Sequence, residues 1–387
     1  MGFKRCAIVH ARSRGHDKNM SFKHAFFSLI CLFCLSTTVQ AKLVKHMYEV
    51  SLPVVSQDKG IRKAAFEQAF IETLVRVSGS GFAPTEVNIA KAARYVQQYR
   101  YLPLPPGMLP KTQSPTSDLE ETTPPPQHLL WVQFNSRAIK KLLRDNALPI
   151  WGQQRPSVLV WLAVRDGPNR YVLRAQDDSA IKNALQTEAH RRGLPVIWPH
   201  YDQQDRALLG FADIWGGFWE QISAASRRYS VDAILLGQMS WSAGNWKIEW
   251  SMKQGKQPIE QWQLLSDDLN ILMAGGVDNS TDQIASRFSV LDSGVDEADL
   301  SVQVDGIQQL DDYARISHYL ASLSQVKHVF AAQVEGQQVK FNVDLSGDKE
   351  DLQRVIALGR TLIPAALPNE VNTAKPSPRQ LYYQLKP

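Results

Sequence analysis

Val158-Leu159-Val160-Trp161-Leu162-Ala163-Val164 is an unbroken apolar run, bounded by Pro156 on one side and Asp166-Gly167-Pro168-Asn169 on the other. A strand with one wet face alternates apolar and polar residues, so a run without alternation needs cover on both faces. It predicts a central strand inside an α/β module over residues 151–292. Asp178 or Ser179 caps a helix bearing Ile181, Ala184, Leu185 and Ala189, which stops at Gly193 before a strand over 194–198. A helix over 217–229 leads to a second buried strand at 231–237. Strands over 246–252 and 259–265 continue as a meander, and a helix over 268–288 closes the module. Trp246, Ile248, Trp250 and Met252 alternate with Lys247, Glu249 and Ser251, the pattern of a mixed sheet half buried against helices.

Residues 42–150 predict a small α+β module. A strand over 47–54 and a turn at Ser56-Gln57-Asp58-Lys59-Gly60 lead into a helix whose stripe is Ile61, Ala65, Phe66, Ala69, Phe70, Leu74 and Val77. Ser78-Gly79-Ser80-Gly81 ends it, and a second helix is expected over 85–97. Two strands follow, around Tyr99-Arg100-Tyr101-Leu102 and Leu129-Leu130-Trp131-Val132-Gln133-Phe134, then a short helix over 136–146. Between the strands, residues 103–127 carry eight prolines among Ser, Thr and Glu, a composition that cannot bury enough apolar surface to order itself. It reads as a disordered, overlong hairpin loop, with a linker between two separate domains as the alternative.

Residues 297–366 run strand, helix, two strands, helix. Val326, His328, Phe330, Ala332 and Val334 share one face, Gly336 turns, and Val339, Phe341, Val343 and Leu345 share a face of the return strand. Helix stripes at Tyr313, Ile316, Leu320, Leu323 and at Leu352, Val355, Ile356, Gly359 complete a ferredoxin-like βαββα module. Residues 367–387 read as a flexible tail. The fold class is thus α/β and α+β, with three modules in series.

Residues 20–41 address the chain. Lys23 precedes an apolar run over 25–35, and Val39-Gln40-Ala41 places small residues at the cut, the layout of a secretory signal peptide over 1–41. Met20 stands directly before it as an alternative start, which would make 1–19 an upstream extension. The run is too short for a mature membrane span, so the product is expected in the periplasm, beginning at Lys42 with no transmembrane segment. Residues 1–41 hold six of the 43 Lys and Arg and one of the 38 Asp and Glu, so 37 of each remain. The net charge of +5 and the pI near 9.0 belong to the leader. No basic footprint for nucleic acid survives its removal. Cys6, Cys31 and Cys34 leave with it, and Ile30 before Cys31 and Phe33 before Cys34 do not suit lipidation.

Chemistry-bearing patterns are sparse. His46, His128, His190, His200, His318 and His328 are scattered without ligand spacing, so no metal is expected. Ser80 follows a helix, where a nucleophile elbow needs a strand, and the Ser-x-x-Lys spacing of Ser324 and Lys327 enters a strand. Asp177-Asp178, Asp267-Asp268 and Asp311-Asp312 precede helices and read as caps. With no Gly-rich phosphate loop, no cofactor and no catalytic residue is assigned. The binding candidates are Asp213, Trp215, Gly216, Gly217 and Trp219, where adjacent glycines permit close backbone approach beside aromatic rings, and His200 at a strand end. Arg155 and Arg228 join them; each binds a carboxylate or pairs with Asp213 or Asp232. All ten tryptophans lie between Trp131 and Trp262, as core packing or as stacking platforms for sugar rings.

Leu148-Pro149-Ile150-Trp151-Gly152, Arg155-Pro156, Asp213-Ile214-Trp215-Gly216-Gly217 and Arg228-Tyr229 ahead of Asp232-Ala233-Ile234-Leu235-Leu236-Gly237 resemble DUF2066, an uncharacterised family of secreted gammaproteobacterial envelope proteins. The resemblance extends over nearly the whole chain after the leader. It implies an envelope protein and transfers no catalytic residue, and the proline loop reads as an insertion. The order of elements in the middle module is also similar to domains of envelope accessory proteins, among them curli-secretion lipoproteins and the N-terminal domain of the Tol-Pal propeller protein, a likeness of fold alone. The expected function is a noncatalytic periplasmic accessory or interaction protein with an envelope protein partner. Peptidoglycan or polysaccharide binding through the Trp-rich module is the alternative, and an envelope hydrolase the third reading.

Overall fold

The computed structural model describes residues 43–105, 124–291, 296–359, 361–365 and 379–386. The expected leader, its cysteines and most of the proline-rich stretch lie outside them. Residues 41–387 form one compact unit containing three sheets.

The first sheet holds β1 (Glu49–Val54), β2 (Val96–Pro103) and β3 (His128–Phe134), antiparallel in the order β1-β3-β2. Leu102 pairs with Leu129 and Pro103 with His128, so the flanks of the proline-rich stretch are neighbouring strands. Helix α1 (Lys59–Ser78) covers the sheet with Ala65, Phe66, Ala69, Phe70, Leu74 and Val77 buried, four of them fully, and α2 (Ser136–Asp145) follows. The helix expected over 85–97 is instead two 3-10 turns, Ala83–Glu86 and Ile89–Arg94, before β2 begins at Val96. Pro84 starts the first turn, and Val87 and Asn88 are extended between the two, so no continuous helical ladder forms.

The second sheet contains β4 (Val158–Asp166), β5 (Asn169–Val172), β6 (Val196–Ile197), β7 (Ala233–Ser242), β8 (Asn245–Gln254) and β9 (Glu260–Ser266), in the order β5-β4-β7-β8-β9 with β6 also on β4. β4 runs parallel to β6 and β7, and the hairpins are antiparallel. On one face Val158, Val160, Leu162 and Val164 pack with α3 (Ala180–Arg192) and α7 (Leu269–Phe288). On the other, Leu159, Trp161 and Ala163 meet α5 (Phe211–Trp215) and α6 (Trp219–Ser226), beside α4 (Gln203–Leu208). β4 therefore divides its side chains between two cores, as its unbroken apolar run requires. Trp161 is fully buried and its indole N–H donates to Ser226 Oγ at 2.9 Å. Trp250 is equally buried, because a Cβ at Gly237 or Gly276 would stand 2.6 or 2.5 Å from its ring.

Several elements differ from expectation. Asp166 and Asn169 pair across a hairpin turn at Gly167 (φ 58°), which continues as the unforeseen β5. The strand expected over 194–198 is limited to β6. The helix expected over 217–229 is divided: Gly216 and Gly217 separate α5 from α6, and a 3-10 turn Arg227–Tyr229 follows. Ser179 caps α3, accepting from Lys182 N at 3.2 Å.

The third sheet has β10 (Asp296–Asp305), β11 (Val326–Glu335), β12 (Gln338–Ser346), β13 (Leu362–Pro364) and β14 (Gln380–Leu385) in the order β11-β12-β10-β14-β13. Helices α8 (Leu310–Ser322) and α9 (Lys349–Leu358) bury Ile316, Leu320, Leu352, Val355 and Ile356 against it. β10, α8 and β11 make a split βαβ with β12 between the two strands, as in a ferredoxin-like sheet. The expected flexible tail is corrected: β14 lies parallel to β10 and antiparallel to β13, between them, with Leu381, Tyr383 and Leu385 buried. A second correction concerns β11. A shift in register between Val326 and His328 turns His328 and Phe330 toward solvent while Val329 and Ala331 pack on the core; a second, between Ala331 and Gln333, leaves Ala332 exposed and returns Val334 to the side of Val326, opposite Val339, where it too is exposed.

Candidate functional site

The structure separates the eight candidate residues into three places. Arg155 is fully buried and touches no carboxylate among its hydrogen bonds. Its Nε donates to the carbonyl of Gly152 (2.9 Å), Nη1 to those of Arg192 and Gly193 (3.0 Å each), and Nη2 to those of Arg76 and Trp151 (2.5 and 3.2 Å). The guanidinium stacks 3.9 Å from the Trp151 ring centroid. Burial, aided by the charge of Arg76, holds its pKa well below the usual guanidinium range. All its donors are spent on main chain, so it joins α1 to α3 and is not a ligand group. The pairing with Asp213 or Asp232 is corrected: Asp213 accepts from Gly210 N at 2.7 Å, and Asp232 accepts from Ser157 N and Oγ at 2.7 and 2.9 Å.

Arg228 and His200 come together beyond β6. Arg228 forks onto Asp202 (2.8 and 3.0 Å) and reaches the fully buried Asp205 at 3.0 Å. Asp205 also accepts from Tyr201 N at 2.8 Å and from the Tyr229 hydroxyl, which in turn accepts from His200 N at 2.8 Å. The Arg228 hydrogen bonds hold the Asp202 carboxyl well below its ordinary value. Burial and then the bond to Asp205 push the Tyr229 phenol up. The guanidinium, the two carboxylates and the phenol are engaged with one another, so the cluster fixes the 3-10 turn to the start of α4, while His200 joins it through its main-chain N–H and sets its exposed ring beside Tyr229, 5.9 Å between centroids.

The remaining phrase opens a groove. Gly217, with φ 65°, turns the chain between α5 and α6, and the wall carries Trp215 and Trp219. Trp215 stacks on Phe211 (5.6 Å between centroids) under Arg165 (4.8 Å), and Gln238 Nε2 donates to its carbonyl at 2.9 Å. The floor is the face of β7–β9 that Trp250 and Ile248 do not occupy. There Glu249 pairs with Gln263 across the strands, and Ser251 with Gln261. The groove has a volume of about 610 Å³ and is lined by Trp215, Gly216, Gly217, Trp219, Gln238, Glu249, Ser251, Gln261 and Gln263 together with Trp250, Ile259 and Trp262. Among the described lining residues Glu249 alone is ionisable, and Lys247 Nζ meets its carboxylate at 2.7 Å. Sequence reasoning missed Gln238, Gln261 and Gln263; the signal was their place opposite the apolar alternation of a meander strand.

Other tryptophans divide as core and surface: Trp151, Trp161, Trp198 and Trp250 are buried, while Trp241 at the β7–β8 hairpin is exposed and packs on Trp246 at 5.1 Å. Among the described residues, no group of three or more His, Cys, Asp or Glu is placed to hold a metal ion, and no helix is long and apolar enough to cross a membrane.

Fold and groove together define a mixed α/β and α+β protein with a ligand-sized surface cleft. Residues 298–386 match the DUF2066 family model, the family that the sequence resembles, and residues 41–152 match DUF8605, a domain of unknown function. The DUF2066 match thus spans the third sheet and not the phrases at 148–237, and neither match covers residues 153–297. A comparison with curated proteins found no match. Among solved structures, the C-terminal domain of LpoB from Salmonella enterica is 11% identical, covering 33% of this chain and 92% of that one with a TM-score of 0.21.

Proposed function

We propose that the chain is a noncatalytic accessory protein of the bacterial cell envelope, acting in the periplasm by holding a ligand in the groove between α5–α6 and the face of β7–β9. The groove itself carries the reading: it combines indole rings with amide and hydroxyl side chains, and the one ionisable group among its described lining residues, Glu249, is paired with Lys247. Such a surface can bind and orient, but it offers no paired acid and base for hydrolysis. The leader-like segment over 20–41 supports the location. The occupant expected from the sequence is an envelope partner, protein or glycan.

A photo-crosslinking residue placed at Gln263 in growing cells tests this, with one at Lys63 on α1 as the control. Adducts specific to Gln263, on a chain recovered from the periplasm with Lys42 as its first residue, are expected. Recovery of the uncut chain from cytosol, or the same adducts from both positions, would overturn the proposal.

A further inference from the structure

The floor of the groove is the face of β7, β8 and β9, whose main-chain groups pair between these strands, and the outer edge of β9 lies beside it. An extended peptide that binds by adding a strand would lie along that edge and not upon the floor. What the floor offers is side chains that both donate and accept, the amides of Gln261 and Gln263 and the hydroxyl of Ser251, while Gln238 spends its N–H groups on the carbonyls of Ile214 and Trp215. Sugar hydroxyls and acetamido groups also donate and accept, and they match such a lining without charge. The wall offers the Trp219 ring, which suits the apolar C–H face of a pyranose, beside Trp215, whose own ring is already packed on Phe211 and Arg165. Gly216 and Gly217 add no side chain between them. Glu249 is paired with Lys247 at 2.7 Å, and the cations of Arg165 and Lys253 lie 4.8 and 5.9 Å from the Trp215 and Trp219 ring centroids.

Resting on the binding role proposed above, we infer that the groove takes a glycan rich in N-acetylated sugars. The glutamines read hydroxyl and acetamido groups, and the tryptophan wall stacks on the rings.

The test is calorimetric and fluorescence titration of the full chain with chitotetraose. Cellotetraose, which lacks the acetamido groups, and polygalacturonate, which is anionic, serve as comparison ligands. Chitotetraose is expected to saturate, with Trp219→Ala weakening it by about tenfold or more. Gln263→Ala weakens it by about threefold or more, and Trp241→Ala, outside the groove, leaves it unchanged. Gln263 is exposed, so its variant keeps the test valid if Trp219→Ala fails to fold. No saturable chitotetraose binding, or binding indifferent to both groove variants, would overturn the inference. Equal affinity for cellotetraose, or tighter binding of polygalacturonate, would remove the acetamido assignment. Capture of a protein from Gln263 by crosslinking, without sugar binding, leaves the binding role standing and removes the glycan.

Discussion

Replacing Arg155 with methionine removes five hydrogen bonds to buried carbonyls and the stacking on Trp151, while keeping much of the side-chain volume. A buried polar group left without its partner costs about 1–3 kcal/mol, so the gross loss for five is about 5–15 kcal/mol. Against this stands the desolvation of the guanidinium, several kcal/mol that the variant no longer bears. The carbonyls also retain neighbours, so the net destabilisation is expected at about 3–5 kcal/mol. Arg155→Lys keeps the charge but has three donors in place of a planar fork, and is expected to lose about 2–4 kcal/mol. Urea unfolding followed by tryptophan emission measures both, with the midpoint falling and the slope unchanged. A methionine variant within about 1 kcal/mol of the parent would refute the carbonyl cage as a stabilising element. A lysine variant equal to the parent would refute the role of the fork.

Gly276→Ala puts a methyl group about where the Trp250 ring lies, 2.5 Å away. It is expected to destabilise by about 1–3 kcal/mol despite the better helix propensity of alanine, with a changed near-ultraviolet dichroism spectrum. Ser226→Ala leaves the Trp161 indole N–H buried without its acceptor and should cost about 1–3 kcal/mol in a denaturation midpoint. Leu381→Ala in β14 should cost about 2–5 kcal/mol, where a frayed tail would give no change. Burial pushes the Tyr48 and Tyr383 phenols up to about 12. Because the folded value lies above the unfolded one near 10, their contribution is complete below pH about 10 and is lost as pH rises through about 12. Phenolate absorbance should show these two groups titrating late, together with loss of structure; titration with the exposed tyrosines would contradict it.

The sequence carried the fold where burial is written as periodicity. The run from Val158 to Val164 foretold two cores, and the alternation of Trp246, Ile248, Trp250 and Met252 foretold which side of β8 faces α7. It failed where a backbone detail reverses the code. A register shift in β11 exposes Phe330, which a regular strand would have kept on the side of Val326. The alternation Leu381, Tyr383, Leu385 was legible but sat beyond a proline-rich segment that concealed its partner, β10. At the site, the glycine pair and its tryptophans were visible as a phrase. The glutamines facing them come from strands further along the chain, and polar positions on a meander read as ordinary solvated surface. Arg155 was misassigned because its partners are carbonyls, which every residue carries and no side-chain pattern announces.

β4 raises a question of alignment. A strand that is greasy on one side only tells its neighbours which way it faces, and a slip by one residue is punished at every position. β4 is greasy on both sides, so that penalty is blunted and something else has to index it. Asp232, one residue before Ala233, holds the amide and hydroxyl of Ser157, one residue before Val158, and those two flanked residues are the first matched pair of the parallel strands. The clasp works as a dowel, setting the zero point from which Trp161 arrives opposite Leu236 and within reach of Ser226.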